Sequence, residues 1–369
     1  MIKRLYIHNF RCLENFELPI KGYPSVLLIG KNGTGKTTVS LALEILQKIA
    51  RGTNRVNNLV KPKDCTRGHT DIPIRFEIEA ELDGKTYAYV IAFELPENFK
   101  ELRVFEEELV VDDKIIFSRK LAQVRMAKAD FGQEAEFRID WHLVALPIVQ
   151  ERSEKDPLFI FKQWLARMLI LRPMPSLIKG DSEQETLEPD PEVTNFGAWF
   201  WALTGQYPAA YTKIDKYLRQ IMPDLKDVQN PTVGKDAKSL VVQFSNAQGT
   251  LKLPFADLSD GEKCFMICAL VLAANESYGP LLCFWDEPDN YLALDEVRHF
   301  VTALRTAFQV GGQLIATSHN SEAISCFPNE RILLLHRRNH LEPTIVRRLD
   351  ENPYNGDLVS ALIRGDVEL

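Results

Sequence analysis

The sequence predicts an α/β fold in which a mostly parallel core sheet carries an antiparallel accessory sheet and a largely helical insertion. Two observations predict the core. Near the start, a strand-length apolar run leads directly into a glycine-rich turn and a helix, and in the last third strands alternate with helices again. Between these regions, apolar residues at every second position predict the accessory sheet. Two halves of one α/β domain therefore flank a long insertion.

Residues 1–120 predict the N-terminal half of the core together with the accessory sheet. The run 25–29 is apolar after Ser25, as expected for a strand that is covered on both faces. Gly52 is a stop signal for the helix that follows, and Asp83-Gly84 is a hairpin turn signal. The expected elements are strands at 2–7, 16–20 and 25–29, a helix from 36 to about 50, and hairpins over 74–93 and 108–116.

Residues 121–250 predict the insertion. An apolar stripe from Leu158 to Leu169 has helical spacing, and residues 199–218 offer further helical segments. The proline-rich and acidic stretch 179–192 predicts a loop. The C-terminal half of the core is then expected over 251–369, with helices near 261–276 and 294–309 and strands at 281–285, 313–317 and 331–335.

Composition limits the class of protein. With 369 residues, 45% of them hydrophobic and 26% charged, the chain does not fit a disordered segment, a collagen-like repeat or a coiled-coil rod. It contains no apolar stretch approaching a membrane span and no secretory signal core, so we expect a cytoplasmic protein without a membrane partner. A net charge of -7 gives no global attraction to nucleic acid, although a local basic patch stays compatible with it. Six scattered cysteines indicate buried thiols.

Residues 30–37, GKNGTGKT, fit the phosphate-loop pattern GxxxxGK[ST] between a buried strand and a helix. Glycines let successive backbone N–H groups face phosphate oxygens, and the helix N-terminus adds a favourable potential. Lys36 is expected to reach the β- and γ-phosphates, and Thr37 to bind Mg²⁺. A glycine-rich turn with an exposed lysine is the weaker interpretation. The predicted nucleotide contacts here are Gly30, Asn32, Gly33, Gly35, Lys36, Thr37 and Thr38.

A second motif is the apolar strand 281–285, which ends in the adjacent carboxylates Asp286 and Glu287. Asp286 is expected to hold Mg²⁺, and Glu287 to orient and polarise an attacking water molecule. A strand that ends in a solvated acidic turn is the alternative for this motif alone. The presence of the phosphate loop favours the catalytic interpretation.

A third motif, LSDGE at 258–262, precedes an apolar helix. Ser259 and Glu262 fit a capping box, in which each side chain bonds the backbone N–H of the other residue. A capped helix N-terminus that exposes the Ser259 hydroxyl and the Gly261 N–H is also suited to an anion such as a γ-phosphate. The structural and the binding interpretations are compatible.

These motifs, followed by ATSH at 316–319, occur in the order and spacing of ATP-binding-cassette ATPases, which the chain resembles over roughly 1–50 and 250–335. The segment IHNFR at 7–11 is similar to the RecF, SMC and Rad50 branch of these P-loop proteins. Within that branch, DNYLALD at 289–295 and the short middle are similar to stand-alone ATPases of phage-defence and abortive-infection systems, such as the ATPase subunits of PARIS and Septu.

The resemblance implies an ATPase that uses ATP and Mg²⁺ and acts as an ATP-dependent homodimer, with a higher oligomer left open. It implies that Ser259 and Gly261 close over ATP bound to a second subunit, and that residues 292–295 lie across the dimer seam. His319 is implied as a switch that contacts the γ-phosphate, and Arg11 as a further nucleotide contact. The catalytic set is then Glu287, His319 and Lys36.

Two departures qualify the resemblance. Asp260 replaces the second glycine of the family's LSGGE, which places a carboxylate near phosphate, so the side chain either points away or weakens the affinity for ATP. No clear glutamine follows residues 67–69, where the family's Q-loop is expected, so the residue that completes the magnesium shell stays open.

The length of the chain argues against some members of this branch. Roughly 200 residues separate the first helix from LSDGE, which is too few for the long coiled coil of SMC or Rad50 proteins, and no C-x-x-C hook is present. About 50 residues follow His319, too few for the nuclease domain of the OLD family. A separate effector protein, such as a nuclease, is therefore expected, with the insertion as the sensing and docking surface of a defence switch.

The alternative function is a RecF-like clamp for DNA repair or recombination. Its DNA-binding groove would use basic residues that fit a solvated loop equally well: Arg51, Arg55, Lys61, Lys63 and Arg67. Nucleic acid thus stays open as a partner. A transporter subunit is less compatible with the RecF-like start and the missing glutamine.

Overall fold

A computed structural model describes residues 1–126 and 135–349. Within these ranges it has α-helices at α1 (Lys36–Ala50), α2 (Pro157–Ala166), α3 (Phe196–Gln206), α4 (Pro208–Ile221), α5 (Asp260–Tyr278), α6 (Leu294–Val310) and α7 (Ser321–Ser325). The first nine strands are β1 (Ile2–His8), β2 (Phe16–Leu18), β3 (Ser25–Ile29), β4 (Ile74–Leu82), β5 (Lys85–Glu94), β6 (Arg103–Val111), β7 (Lys114–Lys120), β8 (Gln123–Met126) and β9 (Ala135–Arg138). The others are β10 (Leu169–Leu171), β11 (Asp181–Ser182), β12 (Leu225–Gln229), β13 (Thr232–Val233), β14 (Ala237–Ser239), β15 (Val241–Asn246), β16 (Gly249–Pro254), β17 (Leu282–Trp285), β18 (Gln313–Thr317), β19 (Ile332–His336) and β20 (Ile345–Arg348).

The core sheet is built from both ends of the chain and from one strand of the insertion. Its strand order is β10-β17-β18-β3-β19-β20, and all neighbours are parallel except the edge strand β20. Strand β3 lies between β18 and β19, and all five of its residues are buried, as expected for a strand covered on both faces. The predicted mostly parallel core is confirmed, and its two halves form one sheet.

Strand β10 corrects the sequence analysis. The apolar stripe predicted a helix through Leu169, but α2 ends at Ala166 and residues 169–171 pair in parallel with β17. All three residues of β10 are buried. A short apolar run has the same pattern in a buried strand as in a buried helix, and here the pairing partner decides the conformation.

The accessory sheet is antiparallel, with the order β2-β1-β4-β5-β6-β7-β8-β9. Strand β4 alternates between buried and more exposed positions, which is the period-two pattern of the sequence. The hairpins turn at Asp83-Gly84 and Asp112-Asp113, and all four residues have positive φ. Both predicted hairpins are confirmed.

A buried carboxylate joins the accessory sheet to the chain that follows it. Glu107 of β6 accepts hydrogen bonds from the backbone N–H groups of Ala145 and Leu146, both at 2.7 Å, and from the Tyr89 hydroxyl at 2.9 Å. Arg119 lies 3.6 Å away, and both side chains of this ion pair are fully buried. Burial raises the pKa of Glu107, whereas the backbone donors and Arg119 oppose the shift. The donors offset part of the desolvation of the carboxylate.

The insertion contains the predicted helical segments as α2, α3 and α4, and it also contains strands that the sequence pattern does not predict. Two small sheets have the orders β11-β14-β13 and β12-β15-β16. Strands β11 and β13 have only two residues each, which is too few to show a period-two pattern, and most of β16 is exposed. One hydrophobic cluster joins Trp199 of α3 to Leu27 of β3 and Phe265 of α5, so the insertion packs on the core sheet.

The helices in the described ranges include none that is long and apolar enough to cross a membrane. The six cysteines are free, and five are buried as predicted. Burial raises the pKa of Cys264 to about 12, which keeps this thiol protonated and unreactive at neutral pH.

Candidate functional site

The sheet order brings the predicted motifs to one edge. The phosphate loop at 30–37 follows β3, the two carboxylates follow β17, and His319 lies two residues after β18. These three strands are parallel, and β18 lies between the other two. The carboxyl ends of parallel strands meet at the same edge of a sheet, where α/β proteins bind their ligands. The motifs therefore converge although almost 300 residues separate them in sequence.

The phosphate loop needs its glycines. Gly30, Gly33 and Gly35 have φ values of 148°, 81° and 99°, a region that favours glycine. A Cβ on Gly30 would lie 2.2 Å from the Leu335 carbonyl oxygen, and one on Gly35 would lie 2.8 Å from Cys12 Sγ. The loop conformation and its close packing thus exclude side chains at the positions where backbone approaches a phosphate.

Lys36, the first residue of α1, folds back over the loop. Its Nζ donates to the Gly30 carbonyl oxygen at 2.7 Å and lies 3.4 Å from that of Lys31. Burial lowers the pKa of Lys36, and the carboxylates of Glu287 and Asp286 oppose this shift. The ammonium group therefore lies between the loop and the two carboxylates, where the β- and γ-phosphates of a nucleotide would compete for it.

Asp286 accepts hydrogen bonds from the first turn of α1 and from the end of β18. Thr37 Oγ1 donates to Asp286 Oδ2 at 2.8 Å, and Thr317 Oγ1 donates to Asp286 Oδ1 at 2.6 Å. The predicted metal ligands Thr37 and Asp286 are thus in direct contact. One hydroxyl and one carboxylate suit Mg²⁺, which keeps several water ligands and takes the others from one or two carboxylates and from phosphate.

Glu287 is held on three sides. Asn290 Nδ2 donates to its Oε2 at 2.6 Å, His319 Nε2 lies 3.5 Å from its Oε1, and its backbone N–H donates to Thr317 Oγ1 at 2.9 Å. Its φ of 50° is in the left-handed region, which is uncommon for a residue other than glycine and costs free energy. The surrounding bonds fix this backbone conformation, which directs the carboxylate toward the cleft.

His319 lies between charges of opposite sign. Burial lowers its pKa, Lys36 lowers it further, and Glu287 and Asp286 oppose both effects. The lowered pKa favours the neutral imidazole at neutral pH. A neutral ring has a single N–H donor, so it can donate to Glu287 or to a phosphate oxygen but not to both at once.

Asp289 connects the loop after β17 with the loop after β18. Ser318 Oγ donates to Asp289 Oδ2 at 2.9 Å, whereas Oδ1 has no hydrogen-bond partner among the described residues. The residue is 6% exposed, and burial raises its pKa. Asp289 belongs to the 289–295 segment of the resemblance, where no role is predicted for it. The structure bonds it to Ser318, the residue before His319.

The Asp289→Asn variant is expected to be more stable than the wild type at pH 7 by about 1 kcal/mol, the usual scale for one substitution. Because the native pKa of Asp289 is raised, the native state holds this proton more tightly than the unfolded state does. The wild type therefore loses this contribution as pH rises through the native pKa, whereas asparagine stays neutral and still accepts from Ser318. Urea unfolding at several pH values should show that the variant exceeds the wild type in free energy of unfolding by an amount that grows as pH rises above about 4. A difference that does not change with pH would contradict this account.

A cleft of about 420 Å³ lies over these groups. Most of the predicted residues line it, namely Arg11, Asn32, Gly33, Gly35, Lys36, Thr37, Thr38 and Glu287. Arg11 has a φ of 55°, and its Nε donates to Asp64 Oδ1 at 3.2 Å. The cleft is also lined by Cys12, Arg337 and His340, which the sequence analysis missed. No sequence motif marks the last two, since only the packing of β19 and β20 brings them to the loop.

Arg172 is a further residue that the sequence analysis missed. It follows β10 and lines a smaller cavity, of about 120 Å³, with Asp286 and Glu287. Its guanidinium group pairs with Glu44 at 2.8 Å and with Glu192 at 2.9 Å. Recognising β10 as a core strand would have located it. Glutamine is absent from the described residues that line the two cavities, so neither of them supplies the family's Q-loop ligand.

The LSDGE segment lies outside the cleft. Ser259 caps α5, with Glu262 N–H donating to Ser259 Oγ at 3.3 Å and Ser259 N–H donating to Glu262 Oε2 at 2.7 Å, so the capping box is present. Ser259 and Asp260 are exposed. A Cβ on Gly261 would lie 3.1 Å from the Tyr291 carbonyl oxygen, so this turn packs on the segment after β17. Within one chain, neither Ser259 nor Gly261 lines the cleft. Gly30, Asp286 and His319 do not line it either, but each contacts a residue that does, namely Lys36, Thr37 and Glu287 respectively.

Comparison with families of known proteins matches residues 25–325 to the family described as "AAA domain, putative AbiEii toxin, Type IV TA system". This match spans most of the chain and contains the phosphate loop, LSDGE, both carboxylates and His319. The chain belongs to this family. This match confirms the predicted identification as a P-loop ATPase related to abortive-infection systems.

An OLD nuclease from Thermus scotoductus is 46% identical to the chain over 46 residues, which are 12% of this chain and 8% of that protein. The match therefore spans only a small part of the relative's length. Among solved structures, an SMC head bound to the C-winged helix domain of ScpA aligns with a TM-score of 0.51 at 15% identity, covering 95% of this chain and 98% of that one. An SMC head domain from Thermotoga maritima aligns with a TM-score of 0.42 at 12% identity, covering 94% and 98%. The alignment with the first of these two structures shows that this chain has an SMC-head fold.

Proposed function

We propose that this protein binds ATP with Mg²⁺ and hydrolyses it in sites shared between two copies of the chain. One observation carries the proposal. The phosphate loop and Glu287 line one cleft, and Asp286 and His319 contact residues of its lining, whereas the donors of Ser259 and Gly261 lie outside it at an exposed helix N-terminus. Charge on a transferring phosphate requires donors on more than one side. A second copy supplies the missing side.

The surface beside the capped helix favours such an association. Tyr291 is 45% exposed and Leu294 is 67% exposed, and both belong to the segment that contacts Gly261. Exposed apolar side chains next to a functional element are typical of an interaction site. Burial of these side chains against a second copy would add to the free energy that bound ATP contributes.

Each group of the cleft then has a role. Lys36 and the loop N–H groups bind the β- and γ-phosphates, Thr37 and Asp286 hold Mg²⁺, and Glu287 orients the attacking water molecule. When bound, Mg²⁺ neutralises charge on the phosphates. Asn290 bonds one carboxylate oxygen of Glu287 and leaves the other facing His319, so this amide sets the orientation of the carboxylate. Loss of the γ-phosphate removes the link between the two copies, which makes the dimer a timed switch.

ATP-dependent dimerisation tests the proposal. With ATP and Mg²⁺, analytical ultracentrifugation of the wild type should show dimers, and the Leu294→Asp variant should weaken their formation about tenfold or more, because a charge replaces a buried apolar contact. Val310→Asp is the matched control, since Val310 lies at the other end of α6 and is 91% exposed. Hydrolysis by a protein that stays monomeric at every concentration would overturn the shared site.

We propose further that the switch controls a separate effector in phage defence, with the insertion 121–250 as its docking surface. The toxin–antitoxin description of the family supports this output, and so does the short match to an OLD nuclease. Capture from native cells, with ATP held on the protein, should recover a nuclease or toxin-like partner. If the captured proteins include neither a nuclease nor a toxin-like protein, this part of the proposal is contradicted.

A RecF-like DNA clamp has less support. Of the five basic residues of its groove, Arg51 donates to the Ala166 carbonyl oxygen and pairs with Glu188, and Arg67 pairs with Glu14. Arg55, Lys61 and Lys63 are exposed. Two of the five cations are therefore already neutralised within the chain. The SMC-head fold is compatible with this alternative. One measurement tests it: a DNA clamp should hydrolyse ATP faster when duplex DNA is added.

A further inference from the structure

The hairpin of β19 and β20 is fastened to the phosphate loop. The Leu335 carbonyl oxygen lies against Gly30, where a Cβ would be 2.2 Å away. Thr344 Oγ1 donates to the Thr34 carbonyl oxygen at 2.9 Å, and Thr344 N–H donates to the Cys12 carbonyl oxygen at 3.0 Å. The hairpin thus contacts both the loop that binds phosphate and the turn that carries Arg11.

The tip of the hairpin is ordered by its own contacts. Arg337 Nε donates to the Glu342 carbonyl oxygen at 2.8 Å, and its Nη2 donates to that of His340 at 2.5 Å. From outside the hairpin, Arg67 Nη1 donates to the Leu341 carbonyl oxygen at 2.6 Å. The tip is therefore held from two sides, and it presents the Arg337 and His340 side chains to the cleft.

These contacts locate the tip along the cleft. Glu287, Lys36 and Thr37 mark the end where the γ-phosphate and Mg²⁺ belong. Cys12 lines the cleft beside Thr38, with its Sγ 3.6 Å from Thr38 Oγ1, and the hairpin is bonded to the Cys12 backbone. A triphosphate that begins at Glu287 therefore leaves the Cys12 side of the cleft for the nucleoside.

We propose that the hairpin tip is the nucleoside-binding wall of the cleft, with the His340 imidazole against the base and the Arg337 guanidinium group beside it. This inference rests on the proposed function and extends it to the part of the ligand that is not hydrolysed. Both groups are planar, and such groups bind bases by stacking with little preference among them. The hairpin therefore sets the affinity for a nucleoside triphosphate, whereas the phosphate loop binds the phosphates.

Affinities of the full chain for ATP, ADP and inorganic tripolyphosphate test this inference by calorimetry. The His340→Ala variant should bind ATP and ADP about tenfold more weakly, and to the same extent, because stacking on a base is lost. Its affinity for tripolyphosphate should stay at the wild-type value. Arg338→Ala is the matched control, since Arg338 is an exposed neighbour on the same hairpin that does not line the cleft.

The two proposals fail in different ways. If the wild type binds ATP and His340→Ala binds it equally well, or if tripolyphosphate loses affinity as much as ATP does, the hairpin is not a nucleoside site and the ATPase proposal stands. If the wild type binds none of the three ligands, the proposed function falls and this inference falls with it. His340 is exposed, so thermal unfolding of the variant should match the wild type and exclude misfolding as the cause.

Discussion

Glu287→Gln should lower the rate of ATP hydrolysis by about a hundredfold or more while ATP stays bound, because the amide does not polarise the attacking water molecule. The variant keeps an acceptor oxygen for Asn290, and its backbone N–H still donates to Thr317, so the loop should keep its conformation. Phosphate release and retention of labelled ATP measure the two effects. Ultracentrifugation should also show a longer-lived dimer than the wild type forms.

Glu330→Gln is a suitable control, since Glu330 is an exposed carboxylate in the short turn before β19. It should hydrolyse ATP at the wild-type rate. A Glu287→Gln protein that turns over ATP as fast as the wild type would remove Glu287 from its assigned role, although the binding roles of Lys36 and Thr37 would stand.

Mixing a Lys36→Ala chain with a Ser259→Arg chain should restore activity that neither chain has alone. The first chain lacks the phosphate-binding cation, and the second carries a bulky side chain where the capped helix would meet the partner's nucleotide. In a dimer of one of each, one site receives both defects and the other receives neither. Random pairing then predicts about a quarter of the wild-type rate for an equal mixture.

Two observations would contradict the shared site. Ser259→Arg alone would keep its rate if the helix N-terminus faced solvent in every assembly, and the mixture would stay inactive if each chain enclosed its own nucleotide. Loss of the cap is expected to cost about 1 kcal/mol, so unfolding of Ser259→Arg should be measured beside Ser259→Ala, which has lost the cap without added bulk.

Short sequence motifs were sufficient to predict the elements that carry the candidate site. The phosphate loop, the capping box at Ser259 and the strand before Asp286 each have a signature within eight residues or fewer, and the structure has each of them where it was predicted. Period-two alternation likewise predicted the accessory hairpins, because one face of that sheet is buried. The division into segments at residues 120 and 250 stays a prediction.

The parts that sequence reasoning missed depend on pairing between distant segments. β10 is three apolar residues whose conformation follows from β17, and Arg172 reaches its place only through that pairing. Arg337 and His340 lie in the cleft because β19 pairs with β3, more than 300 residues earlier in the chain. No local pattern encodes such neighbours, so their roles became visible only with the strand order.

The central position of β3 has a consequence for synthesis on the ribosome. This strand emerges among the first 30 residues, yet its partners β18 and β19 emerge only after residue 312. For most of translation, the nascent chain carries an apolar strand with both edges open, whereas β4 to β7 pair with close sequence neighbours and close early. Open strand edges recruit other chains, so we expect the unfinished polypeptide to need chaperone protection and the phosphate loop to acquire its shape last.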